Sequence, residues 1–278
     1  MKICVICGLS FIDVVETAMG FRQNKLLPAL FLMVLLFTPL AVACQKPVDG
    51  TGFVERGYVN IEGERMRYLL FTPKQYDRQK KYPLVLWLHG GGARGDNPGI
   101  ILSWGDKHGP LFLARPDNQS AYPCFILAPQ CPTGKLWANP FADTILVETR
   151  LLLEILDSIQ TEFAVDSTRL YVMGISMGGY AIWDLIARKP DLFAAAAPIC
   201  GGGNPSKARL MVNTPIWAFH GDEDELVGVE ESRRMIEAIK QAGGKPKYTE
   251  YKGVGHNAWE RAFAEPDFLK WTFSQTRK

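Results

Sequence analysis

The stretch Leu-Tyr-Val-Met-Gly-Ile-Ser-Met-Gly-Gly-Tyr-Ala-Ile-Trp-Asp-Leu, from Leu170 to Leu185, decides the fold. It opens as a short apolar run of the kind a buried strand shows, then passes through Gly174-Ile175-Ser176-Met177-Gly178 into a helical pattern. In that context G-x-S-x-G sets the serine on a sharp turn, in a strained backbone conformation, with its hydroxyl pushed out at the top of a sheet. The flanking glycines leave room for strand and helix to approach closely. A helix starting just behind the serine aims its free N–H groups and positive dipole end where negative charge develops during acyl transfer. A serine used this way needs a base, a carboxylate to orient the base, and oxyanion donors from elsewhere in the chain.

Upstream, Phe53 to Asn60 and Met66 to Phe71 predict two strands joined through Glu62-Gly63-Glu64, an edge hairpin. Pro83 opens Leu84-Val85-Leu86-Trp87-Leu88, an uninterrupted apolar run that suits a strand covered on both faces. It leads into His89-Gly90-Gly91-Gly92. The same loop spells G-x-G-x-x-G from Gly90 to Gly95, but Asp96-Asn97-Pro98-Gly99 follows instead of a helix, so a dinucleotide site is rejected. An oxyanion loop of the His-Gly-Gly-Gly type is the better reading. Arg94-Gly95-Asp96 spells a cell-attachment tripeptide and is taken as coincidence. Phe125 to Ala128 predicts a further strand, followed by the loop Pro129-Gln130-Cys131-Pro132 that runs on to Trp137, and Asp143 to Phe163 has helical apolar spacing.

Downstream, the elbow helix stops at Lys189-Pro190, and strands are predicted at Phe193 to Ile199, Ile216 to Phe219 and Tyr248 to Tyr251. Helices are predicted from Glu230 to Ala242 and from Ala258 to Phe273. Strands alternating with helices predict an α/β fold over residues 53–278, with a mostly parallel central sheet flanked by helices. Gly201 to Pro215 is too short for a lid domain, which suits a polar or bulky substrate better than a long lipid chain.

A formal net charge of +2 on 278 residues, with no basic run interleaved with aromatics, argues against nucleic acid as a partner. Leu26 to Ala43 is almost wholly apolar, lies behind Arg22 and Lys25, and ends in Ala41-Val42-Ala43, the pattern of a secretory signal peptide over residues 1–43. Met19 would serve as a signal start by itself, which makes residues 1–18 an upstream extension. Cys44 follows the Ala-x-Ala site as a lipid-receiving cysteine would, giving a possible membrane tether, with residues 44–52 as a linker. Cys124, Cys131 and Cys200 remain for the folded domain, and their pairing cannot be read from sequence.

Of the four histidines, His89 and His108 precede the serine, and His220 ends a strand before any candidate acid. His256, presented by Gly253-Val254-Gly255, is left as the base. His220-Gly221-Asp222-Glu223-Asp224 offers three acids; Asp224 is favoured, Asp222 is the alternative although its place near the strand end also suits a structural role capping the turn, and Glu223 is read as facing solvent. His89 is read as a structural residue bonding the glycine loop and Trp183 as core. Gln130, Trp137 and Trp259 are candidates for lining a substrate pocket. No metal or cofactor is required by this constellation.

Four segments in this order, Leu88 to Gly92, Gly174 to Gly179, Phe219 to Val227 and Gly253 to His256, resemble the α/β-hydrolase esterases related to polyhydroxybutyrate depolymerases, feruloyl and acetylxylan esterases and dienelactone hydrolases, especially their bacterial branch labelled predicted peptidases. The resemblance covers about Val54 to the C-terminus. It implies Ser176 as nucleophile, Asp224 as acid, His256 as base, and the backbone N–H groups of Gly91 and Met177 as the oxyanion hole. Gly228 departs from the pattern, where many relatives carry proline. The implied activity is ester cleavage through an acyl-enzyme, acting on a small-molecule or polysaccharide ester. A peptidase on the same three residues and a non-catalytic binding protein on the same scaffold are the competing readings.

Overall fold

The computed structural model describes residues 46–103 and 108–277. The leader at residues 1–43, its upstream extension and Cys44 lie outside the described residues. Apolar strands alternate their side chains between two faces, and the architecture follows from covering both. Strands run at Lys46–Pro47 (β1), Phe53–Val59 (β2), Arg65–Phe71 (β3), Tyr82–Leu88 (β4), Phe125–Pro129 (β5), Val165–Ile175 (β6), Ala195–Ile199 (β7), Trp217–Gly221 (β8) and Lys247–Tyr251 (β9). Among the described residues they form one sheet in the order β1-β2-β3-β5-β4-β6-β7-β8-β9. The first three connections across the sheet, β1 to β2, β2 to β3 and β3 to β5, are antiparallel, and every pairing from β5 to β9 is parallel.

Helices cover both faces, as parallel strands require. Leu84, Leu86 and Leu88 of β4 point into one core with the helices Val147–Glu162 (α3), Met177–Arg188 (α4) and Glu230–Gln241 (α5). Val85 and Trp87 point into the other, with Gly109–Ala114 (α1), Ala258–Ala262 (α6) and Phe268–Ser274 (α7). Pro116–Ala121 forms the short helix α2 between α1 and β5.

Three details differ from the sequence reading. Lys46 and Pro47, expected in a linker, pair with Glu55 and Val54 at the sheet edge. The last helix, expected as one piece from Ala258 to Phe273, is two, broken at 263–267 around Pro266, whose ring and missing N–H do not fit a helix interior. The short helices α1 and α2 had no apolar period long enough to announce them.

The elbow is fixed by backbone contact. A Cβ on Gly174 would stand 2.6 Å from the Leu88 carbonyl oxygen, and one on Gly178 would overlap that oxygen outright. A Cβ on Gly179 would meet the Ile199 carbonyl oxygen at 2.7 Å. The G-x-S-x-G-G pattern is therefore a requirement for α4 to sit against both β4 and β7. Replacing Gly178 by Ala is expected to cost about 3 kcal/mol or more, since only backbone can move to make room. Urea denaturation of Gly178→Ala against the parent chain measures this, and an unchanged midpoint would refute the packing argument.

Candidate active site

Ser176 sits between β6 and α4 with φ 53° and ψ −116°, a strained conformation for a residue with a side chain. Its N–H donates to the Ile199 carbonyl at 2.9 Å, which ties the turn to β7. Its Oγ lies 2.9 Å from His256 Nε2, and His256 Nδ1 lies 2.7 Å from Asp224 Oδ2. These distances put a hydroxyl, a base and an orienting carboxylate in one line. The Asp224 side chain is fully buried, while that of His256 is 19% exposed.

Asp224 is held from both sides. Its Oδ1 accepts from the N–H groups of Leu226 at 3.0 Å and Val227 at 2.9 Å, and its Oδ2 also lies 3.3 Å from His220 Nε2. Burial lowers the pKa of His220, so the ring is neutral with its proton on Nε2, facing the Val227 carbonyl at 2.8 Å. Ser232 Oγ, 2.7 Å from Nδ1, closes the other side of the ring. Asp222 takes a different place: its Oδ1 accepts from Gly253 N–H at 2.7 Å, in the loop that carries His256.

The glycine loop lies against Ser176, since a Cβ on Gly90 would stand 3.5 Å from Ser176 Cβ. Gly91 opens the turn Gly91–Ala93, and Met177 is the first residue of α4, where a helical N–H has no partner within its own helix. His89 organises this loop, with Nδ1–H donating to the Gly90 carbonyl at 2.7 Å and Nε2 accepting from Cys131 N–H at 3.0 Å.

Two of the pocket candidates have other work. Gln130 is buried and donates from Nε2 to the carbonyls of Ala93 and Asn97, both at 3.0 Å, so it pins the glycine loop. Trp137 is 1% exposed, packs on the His89 ring at 5.0 Å and donates to the His89 carbonyl at 3.1 Å. Both brace the glycine loop, and Gln130 Oε1 is buried without a hydrogen-bond partner among the described residues. Trp259, at the start of α6, is half-buried and sets its ring edge against His256 at 5.6 Å. Trp87, Ala93, Ile101, Ile175, His89 and His108 line a small pocket beside the elbow.

Cys124, Cys131 and Cys200 are all free thiols, buried, with pKa values pushed up chiefly by that burial. The ligand atoms of Cys200, Asp224 and His256 lie within 4.8 Å of one another, a set that could in principle hold a metal. Asp224 and His256 are already committed to one another and to Ser176, and the Cys200 thiol stays protonated, so the hydrogen-bonded arrangement accounts for all three. His220, four residues before Asp224, was read from sequence only as a strand end. The signal was present in the His-Gly-Asp-x-Asp spacing, which returns the chain past the same strand terminus.

Fold and site define the class: the chain has an α/β-hydrolase fold, with Ser, Asp and His in that order along it. Residues 135–267 match the model of the dienelactone hydrolase family. The chain is 26% identical over 204 residues to a probable feruloyl esterase C of Aspergillus niger, covering 70% of this chain and 68% of that one. A crystal structure of a thermostable esterase superposes with a TM-score of 0.77 at 36% identity, covering 81% of this chain and 64% of that one. This chain thus spans just under two thirds of that esterase. Dipeptidyl-peptidase 5 of Schizosaccharomyces pombe is 27% identical over 142 residues, 48% of this chain and 19% of that protein. The matched family and the relatives named esterases are carboxylic-ester hydrolases.

The neutral His89 carries a pH consequence. Burial first, opposed by the bond to Gly90 and reinforced by the charge of Arg94, lowers its pKa from 6.5 to about 4. The unfolded chain takes up a proton below 6.5 that the folded chain refuses until about 4. Stability is therefore complete above 6.5 and falls as pH drops through that window, by up to about 3 kcal/mol from this residue. Urea midpoints measured from pH 7 to pH 4 should decline less steeply in His89→Gln; an identical slope would contradict the assignment.

Proposed function

We propose that the protein is an exported serine carboxylesterase acting through an acyl-enzyme, with Ser176, His256 and Asp224 as nucleophile, base and acid. The observation that carries this reading is the continuous contact from Ser176 Oγ through His256 to Asp224, at 2.9 and 2.7 Å. His256 takes the Ser176 proton as the hydroxyl attacks the ester carbonyl carbon, and Asp224 holds the ring and stabilises the imidazolium that results. The N–H groups of Gly91 and Met177 receive the tetrahedral oxyanion. Collapse breaks the bond to the alcohol oxygen, which leaves with the proton from His256. Water, deprotonated by the same ring, then attacks the acyl-enzyme and frees the acid and Ser176.

Acylated polysaccharide or another polar ester is the proposed substrate, in keeping with relatives named as feruloyl esterases and with a short 201–215 segment in place of a lid. Export rests on the apolar leader and its Ala-x-Ala site, and a lipid tether rests on Cys44. No helix among the described residues is long and apolar enough to cross a membrane. The match to a dipeptidyl-peptidase keeps amide cleavage as the second reading.

The test is turnover of acetyl and butyryl p-nitrophenyl esters, methyl ferulate, acetylated xylan and a peptide amide by the purified protein. Esters are expected to be cleaved, with Ser176→Ala and Asp224→Asn each lowering kcat by about 10⁴-fold or more while the thermal midpoint stays close to that of the parent. Full activity in Ser176→Ala would sink the assignment, and turnover of the amide alone would select the peptidase.

A further inference from the structure

Arg94 stands beside the proposed oxyanion hole and has no anionic partner among the described residues. Its Nε donates to Met177 Sδ at 3.2 Å, and its Nη2 packs on Gly91, where an added Cβ would stand 3.3 Å away. It thus touches both residues whose N–H groups face the substrate carbonyl. A thioether is a weak acceptor, so this contact orients the guanidinium without neutralising it. The terminal nitrogens of Arg94 make no hydrogen bond to any described residue and are not among the atoms shut away from solvent. Arg67, Arg56, Arg150 and Arg188 by contrast are paired with Glu55, Glu162, Glu64 and Asp184.

The loop presenting Arg94 is rigid. Gln130 binds the Ala93 carbonyl on one side and the Asn97 carbonyl on the other, and Gly95 N–H donates to the Cys131 carbonyl at 3.0 Å. A half-buried cation held this firmly, with an open fork of donors, has the form of a carboxylate receptor. The leaving oxygen must lie within reach of His256 Nε2, so the half of the substrate that meets the glycine loop is the acyl half.

We infer that Arg94 forms an anion subsite beside the scissile carbonyl and selects esters whose acyl group carries a carboxylate, such as half-esters of short dicarboxylic acids. This rests on the esterase reading and names a substrate class within it. The Arg94-Gly95-Asp96 tripeptide is accounted for as part of a substrate-facing loop.

Two arms test it. In turnover, kcat/KM is compared for mono-p-nitrophenyl glutarate and the neutral p-nitrophenyl butyrate in the parent, Arg94→Met and Arg94→Lys. The ratio of anionic to neutral ester should fall about 10- to 100-fold in Arg94→Met, mostly through KM, and recover in part in Arg94→Lys, which keeps the charge but loses the fork. It should also weaken with added salt in the parent. An equal loss on both esters would make Arg94 a general support of the oxyanion hole, and no loss would make it a surface residue; either overturns the subsite.

In binding, Ser176→Ala is titrated calorimetrically with the glutarate monoester, with and without Arg94→Met. Binding at least 10-fold weaker in the double variant is expected, and equal binding refutes the proposal. If the parent cleaves neither ester, the esterase reading fails while this second arm still decides the subsite.

Discussion

The close passage of α4 over the carbonyl of Leu88 is the contact on which the candidate site depends. It requires glycine at 174 and 178, and it joins the elbow to the last residue of β4. The chain leaves β4 directly into His89-Gly90-Gly91, so the backbone contact that holds the elbow also brings the glycine loop to the side of Ser176. Ser176 and the glycine loop are thereby placed by one interface between neighbouring parallel strands, at their carboxyl ends, where open α/β sheets form their crevice.

The loops carrying Asp224 and His256 are joined by a second backbone interface of the same kind. Glu223 N–H donates to the Val254 carbonyl at 3.0 Å and Asp222 N–H to the Tyr251 carbonyl at 3.1 Å. A Cβ on Gly221 would stand 2.6 Å from the Gly255 carbonyl oxygen. The loops after β8 and β9 are stitched together by backbone contacts, independently of the Asp224 and His256 side chains. Asp222, the alternative acid, is one of the stitches. The carboxylate that reaches His256 is the one two residues later, because only there does the chain turn inward.

What could be read from the sequence was what local pattern encodes. The apolar run at Leu84 to Leu88, the elbow at Ser176 and the alternation of strands with helices each carry their own period or turn chemistry, and together they define a parallel sheet. The short helices at Gly109–Ala114 and Pro116–Ala121 span fewer than two turns and show no period to detect. The roles of Gln130 and Trp137 were hidden for a different reason. Both act on the loop after β4, across sequence separations of 33 to 48 residues, and a polar or aromatic residue on a loop looks the same whether it faces substrate or braces a neighbour.

His89 and His220 show how one residue type is put to different uses. Each is buried with a lowered pKa, and each spends both ring nitrogens on structure: His89 on Gly90 and Cys131, His220 on Val227 and Ser232. A neutral ring with one donor and one acceptor suits these positions, where an imidazolium would face a backbone N–H or lie buried. His256 differs in its surroundings. Its Nδ1 is fixed by Asp224, its Nε2 meets a hydroxyl on a strained turn, and its side chain keeps contact with solvent. The two structural rings secure the glycine loop and Asp224, which leaves the third as the ring in contact with the Ser176 hydroxyl.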